Sequence, residues 1–325
     1  WGMKLVSFEA LDDPQSGEHL GVLCGGGENI VDIQAVEIRR RRRMLPGLMS
    51  MMGLLHDFDY GIKIIQDDLE YWEKELPPRC GYTLDEVRLL PPLGRPKSLR
   101  HVMEEPQDYI ADGVVSFGKS VSQKIGKLLN KKKRESFSHY FGNSRAIIGC
   151  DEQIRWPQSS NQLDLEIELA IFIKKEGRNI SEEEAMEYVG GYSLFNDLTA
   201  TDLFQEELTD HSPHTNSKCF DTSNVMGPCL ITKDELQNIS EYSLEVEVND
   251  QNWVIEVYEE FPINIPKIIA DISRSETLYP GDIITTGMLP HACGRISDHY
   301  LKPGDEINIK MEPFGVLTNK IIKSI

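Results

Sequence analysis

The sequence predicts a mixed, mainly β fold, and three observations carry that expectation. Short runs rich in β-branched and aromatic residues recur along most of the chain, bounded by clusters of Gly, Asn, Asp or Pro. Only a few stretches carry helical spacing. No regular strand-helix-strand alternation and no internal repeat is visible, so a doubly wound parallel sheet is not expected.

Taken in order, KLVSFEA, HLGVLC and NIVDI are β-prone runs separated by the turn clusters DDPQSGE and GGGE, which predicts a small β-meander. No helical pattern follows Gly25, Gly26 and Gly27, so they read as a hairpin turn rather than a phosphate loop. Residues 48–76 carry helical spacing, and PPLGRPKS at 91–98 breaks the chain. A boundary is expected near residue 90, with a small N-terminal β-rich domain over 3–90 and a larger domain over 91–325.

In the larger part, IIGCDEQIRWP, LDLEIELAIFIKK, YSLFNDLTATD, YSLEVEVNDQNWVIEVYEE, GDIITTG and GDEINIKMEPFGVL read as strands. Ser181 and Glu184 form a capping-box pattern that predicts a helix over SEEEAMEYVGGY. A second helix is expected in PKIIADISRS, which opens on a proline.

With 325 residues the chain can bury a large core without covalent help. Its six cysteines form no CxxC pair, as expected of reduced thiols in a cytoplasmic protein. No apolar run approaches the length of a membrane span, and the N-terminus lacks a signal-peptide pattern, so a soluble protein with no membrane partner is expected. Acidic residues outnumber basic ones 53 to 34, a net charge of −19 that disfavours nucleic acid as a partner. The basic runs Arg39 to Arg43 and Lys131 to Arg134 read as solvated faces or loops.

Asp164, Glu166 and Glu168 occupy alternate positions of LDLEIELAIF, so on a strand they share one face. The residues alone leave two readings open: a solvated acidic face, or a site whose charge repulsion a hard divalent cation relieves. Asp197 lies in the apolar stretch after Phe195, where an unpaired carboxylate is costly to bury. A neighbouring strand that brought Asp197 beside Glu166 and Glu168 would make an all-oxygen site suited to Mg²⁺, Mn²⁺ or Ca²⁺.

The ordered segments LDLEIELAIFIKK, VGGYSLFNDLTATDLFQ, SKCFDTSNVMGPCLI and PGDIITTG resemble those of the fumarylacetoacetate hydrolase superfamily. The resemblance runs from about residue 88 to the C-terminus and implies a β-roll catalytic domain, usually in a homodimer, that holds a divalent metal. Carried over by position, it implies Glu166, Glu168 and Asp197 as ligands, with Asp164 supporting and Asp202 structural. It implies Lys218 at the substrate oxygens, Thr222 beside the metal shell and Gln205 on the substrate side. Thr286 and Gly287 then fall on the turn that closes the pocket.

The chain departs from the family pattern in one segment above all. In LGRPKSLRHVMEEPQDYI, His101 stands at the usual aspartate position, Pro106 at the glutamate position and Asp108 at the histidine position of a water-activating dyad. His101 is a candidate base, with Glu104, Glu105 or Asp108 as its acidic partner. Thr201 replaces the arginine of the family's A-R-D triplet, and Gly142 stands where a substrate-facing lysine is common, with Arg145 nearby as a substitute charge. His291 is a candidate substrate contact or acid-base group, and His211, His214 and Cys219 form a rival zinc set without a familiar spacing, expected instead to be a loop.

The resemblance implies hydrolysis of a C–C bond in a β-dicarbonyl or acylpyruvate-like 2-oxo acid. The altered segment keeps open an isomerase, tautomerase or decarboxylase on the same metal, since those reactions need enolate stabilisation more than activated water. A silent metal-binding scaffold is the reading from another class.

Overall fold

The computed structural model describes residues 2–103, 136–236, 242–258, 263–294 and 299–323. The N-terminal part contains β1 (Lys4–Ala10), β2 (His19–Cys24), β3 (Asn29–Asp32), α1 (Ile33–Arg41), α2 (Met51–His56), α3 (Phe58–Glu75), β4 (Gly81–Thr83) and β5 (Val87–Leu90). It is followed by β6 (Leu99–Met103), β7 (Ser138–Phe141), β8 (Ile147–Ile148), β9 (Gln153–Trp156), β10 (Leu163–Asp164), β11 (Ile167–Ile173), β12 (Val189–Asp197) and β13 (Thr199–Ala200). Then come α4 (Thr201–Asp210), α5 (Thr215–Lys218), β14 (Asn224–Thr232), α6 (Lys233–Leu236), β15 (Tyr242–Val248), β16 (Gln251–Tyr258), α7 (Ile265–Ser273), β17 (Ile283–Thr285), β18 (Glu306–Met311) and β19 (Gly315–Lys323).

The fold is mainly β, as expected. A twelve-stranded sheet runs β4-β3-β2-β1-β14-β12-β11-β17-β6-β7, with β5 added to β1 and β8 to β14. A second sheet runs β16-β15-β18-β19-β9, and β10 pairs with β13. Every residue of β11, β12 and β14 is buried, which explains why these strands read as continuous apolar runs rather than alternating ones. Asn249 and Asp250 both adopt positive φ in the β15–β16 hairpin, the left-handed pair that a tight two-residue turn requires.

The expected boundary near residue 90 does not interrupt the large sheet. β1 pairs antiparallel with β14, Lys4 opposite Ile231 and Leu5 opposite Leu230.

The helix expected in PKIIADISRS is α7, while two other helical expectations and the reading of the first basic run need correction. The 48–76 stretch forms two helices, α2 and α3, because Asp57 between them leaves helical geometry (φ −140°, ψ 52°). SEEEAMEYVGGY forms only turns and a tight segment at Ala185–Glu187, although the Ser181 hydroxyl accepts the Glu184 N–H at 3.3 Å. The residues from Val189 onward are drawn into β12, and burial in the sheet overrides the local cap. Arg39 to Arg41 form the last turn of α1, a helix that the sequence pattern does not predict and that the Asp32 carboxylate caps at Ala35 N–H. Arg40 and Arg41 are not simply solvated: they pair with Asp68 and Glu37, two fully buried carboxyl groups between α1 and α3.

No helix among the described residues is long and apolar enough to cross a membrane.

Candidate metal centre

The centre forms where β11 begins, in the middle of the large sheet. Antiparallel pairing sets Ile167 opposite Asn196, which brings the end of β12 beside Glu166. The Asp197 N–H donates to the Glu166 carbonyl at 2.9 Å, and the Glu166 N–H donates to Asn196 Oδ1 at 3.1 Å. Glu166 and Glu168 are each 2% exposed and Asp197 1%, so the solvated acidic face is excluded. One carboxylate oxygen from each of the three lies within 4.8 Å of the others.

Asp164 is also buried, but its Oδ1 accepts the N–H groups of Leu165 and Gly294, at 2.8 and 3.0 Å. It shapes the backbone beside the centre. Asp202 accepts from the Ser160 hydroxyl and the Asn161 N–H and so fastens the start of α4.

Lys218 enters from the end of α5. Its ammonium donates to Glu166 Oε2 at 2.6 Å and Asp197 Oδ2 at 2.7 Å. α5 is in turn held by Glu207 of α4, which accepts the Asn216 N–H and the Ser217 hydroxyl. Burial opposes the charge on Lys218, but Asp197, Glu166 and Glu168 outweigh it and raise its pKa, so the group is an ammonium at neutral pH. Burial, and then Asp197, push Glu168 well above the ordinary carboxylate range, while Lys218 and a hydrogen bond from Thr285 oppose that shift.

The donor set fits a hard divalent cation. Glu168 Oε2 and Asp197 Oδ1 are buried without a hydrogen-bond partner, and all three side chains offer oxygen.

His101 reaches the centre from β6, which pairs parallel with β17 so that His101 lies opposite Thr285. Its Nδ1 is 3.2 Å from Thr285 Oγ1 and 3.5 Å from Asp197 Oδ2. The ring stacks on Tyr140 at 4.8 Å between centroids, and the Tyr140 hydroxyl donates to Asp197 Oδ2 at 3.1 Å. Burial lowers the His101 pKa more than Asp197 raises it. Sequence reasoning misses Tyr140 and Thr285. The signal for Thr285 is strand alternation in IITTG: if Thr286 faces one way, its predecessor faces the other.

The remaining candidates stand elsewhere. The Thr286 hydroxyl donates to the Gly287 carbonyl and accepts the Leu169 N–H, and Gly287 supplies a positive φ of 76°. The Thr222 hydroxyl accepts the Arg155 N–H at 2.8 Å, which ties it to β9. Thr201 is buried at the start of α4 with its hydroxyl toward the Gln162 carbonyl at 3.4 Å. Gln205, Arg145 and His291 are exposed. Glu105 and Asp108 lie outside the described residues.

The zinc set does not assemble. His211 is exposed at the end of α4, while the buried His214 ring packs on Phe204 at 4.7 Å. Among the described residues, the acidic triad is where three such side chains converge.

The profile of the fumarylacetoacetate hydrolase C-terminal domain matches residues 114–322. The chain is 28% identical over 321 residues to the mitochondrial oxaloacetate tautomerase FAHD2A of Bos taurus, covering 98% of this chain and 92% of that one. It is 30% identical over 300 residues to the oxaloacetate tautomerase YisK of Bacillus subtilis, covering 90% and 93%. The maleylpyruvate hydrolase of Sphingobium sp. SYK-6, solved with manganese(II) and pyruvate, shares the fold at a TM-score of 0.68 and 23% identity, over 99% of this chain and 100% of that one.

Proposed function

The chain belongs to the fumarylacetoacetate hydrolase family, and from that premise we propose that it is a divalent-metal-dependent enzyme that interconverts the keto and enol forms of a 2-oxo acid. The observation that carries this reading is the ammonium of Lys218 set between Glu166 and Asp197 in a buried triad with two unpartnered oxygens. The likeness to two oxaloacetate tautomerases over at least 90% of the chain supports the choice of reaction.

Glu166, Glu168 and Asp197 would hold the cation. When bound, it supplies an electrophile that orients an anionic substrate and stabilises enolate charge. The reaction moves one proton between C3 and the 2-oxo oxygen and breaks no carbon-carbon bond. Lys218 donates to the oxygen that gains charge, in a water-poor interior where such a contact is strong. Tyr140, whose phenol burial and Asp197 push well above its ordinary value, keeps its proton and supplies a donor at Asp197 Oδ2.

C–C hydrolysis, which the sequence resemblance puts first, becomes the second reading. It needs an activated water as well as enolate stabilisation. The test is NMR of oxaloacetate and an acylpyruvate incubated with the Mn²⁺-loaded protein in deuterium oxide. Faster keto–enol exchange at C3 with the carbon skeleton intact is the expected result, abolished in Glu168→Gln. Two carbon fragments would establish hydrolysis and carbon dioxide a decarboxylase, while no turnover alongside retained Mn²⁺ binding would leave a silent scaffold.

A further inference from the structure

We propose that His101 is a positioning residue rather than a base: seated against Gly142, its imidazole aligns Thr285 on Glu168 and so sets the metal affinity of the triad. The proposal rests on the metal-binding reading above.

Thr285 Oγ1 is the link. Thr285 sits opposite Ala170 in the β11–β17 pairing, diagonal to Glu168, whose charged form its hydroxyl favours, and its Oγ1 lies 3.2 Å from His101 Nδ1. A hydroxyl has one hydrogen and two lone pairs, and a ligating carboxylate is ionised and accepts only. The Thr285 hydrogen therefore goes to Glu168, and its lone pair accepts from an N–H at His101 Nδ1. Asp197 Oδ2, 3.5 Å from the same nitrogen, favours a proton there as well. The tautomer is thus fixed with Nδ1 protonated and Nε2 bearing the lone pair.

That lone pair faces no accessible space. His101 Nε2 is buried without a partner, and a Cβ built on Gly142 would lie 2.4 Å from it and 2.5 Å from Cδ2. A base must reach the proton that it takes, and this nitrogen is closed off by the Gly142 backbone. Tyr140 covers one face of the ring, and Phe195 meets it edge-on at 5.7 Å and 62°. The imidazole is held in one orientation, and any side chain at position 142 would displace it. The missing side chain at Gly142 and the histidine at His101 are therefore a single adaptation.

Groups that orient metal ligands typically alter affinity about ten- to a hundred-fold when lost. Mn²⁺ titration calorimetry on Gly142→Ala and His101→Ala is expected to show losses of that size, with thermal melting to check the fold. The double variant is expected to bind no more weakly than His101→Ala alone, because the new methyl then meets no ring. His101→Asn, which can place an N–H where Nδ1 stands, is expected to recover most of the affinity. Nitrogen NMR of His101 in the Mg²⁺-loaded wild type, where Glu168 is a ligating carboxylate, is expected to show Nδ1 protonated. Additive losses in the double variant, no recovery in His101→Asn, or a protonated Nε2 would each overturn the proposal. A wild type that takes up no Mn²⁺ would defeat the metal-binding reading instead.

Discussion

Lys218 decides how strongly the triad needs a cation. With its ammonium in place, two of the three carboxylates already have a partner at hydrogen-bond distance. Removing one member of a buried ion pair typically costs about 3–5 kcal/mol, because the other charge stays buried and unpaired. Lys218→Met is therefore expected to melt well below the wild type without metal and to show the larger upward shift when Mn²⁺ is added. Its turnover is expected to fall by about a hundred-fold or more, the usual cost of losing a donor to developing negative charge. A Mn²⁺-induced shift no larger than that of the wild type would contradict this account. Glu166, Glu168 and Asp197 stand out in the sequence because carboxylates interrupt apolar strand text, whereas Lys218, in SKCFDTS, is reached only through the family resemblance. Tyr140 and Thr285 do not stand out, since tyrosine and threonine are ordinary strand residues and only the β6–β17 and β6–β7 pairings show where they point.

Two helix contacts carry predictions at the next scale. α5 is too short to hold its own geometry, and Glu207 anchors it through Asn216 and Ser217. Glu207→Ala leaves those donors without their acceptor, at about 1–3 kcal/mol by the usual cost of an unsatisfied buried group. It is expected to lower both the urea midpoint and turnover, because Lys218 ends the same helix. Between α1 and α3, burial and the neighbouring Asp68 push Glu37 up to about 7 from an ordinary 4.5, against Arg41 and Arg40. The folded protein thus keeps a proton that the unfolded chain releases. Its stabilisation is full below pH 4.5 and is lost as pH rises towards 7, so melting temperature is expected to fall across that window. Glu37→Gln should flatten the slope there, and an unchanged slope would show that Glu37 is not its source. His19, raised chiefly by its hydrogen bond to Asp32, adds a slope of the same sign only above pH 6.5, and this variant leaves it intact. α1 escapes the sequence reading because its last turn is a run of arginines. α4 escapes because LTATDLFQ continues the text of a strand.

For the whole molecule, the mainly β class is legible in the turn clusters and the apolar runs, but which strands pair across the chain is not. Pairing is decided by distant partners, and the sequence break at PPLGRPKS marks a change of composition without marking an end of the sheet. β1 lies between β2 and β14, and one hydrophobic cluster joins Met3, Leu5, Val31 and Leu54 to Phe172, Phe195, Met226 and Leu230. Removing residues 3–90 would strip β14 of a pairing strand and open that cluster to water, exposing a long apolar edge. The intact protein is therefore expected to melt in one cooperative transition, and Mn²⁺ at a hundred-fold excess over its dissociation constant should stabilise it by about 2.7 kcal/mol. The fragment 91–325 is expected to aggregate or to lack native near-ultraviolet circular dichroism. A fragment that instead stays monodisperse and binds Mn²⁺ like the full chain would make the sequence break a true domain boundary, with the β1–β14 pairing a docking contact between two independently stable units.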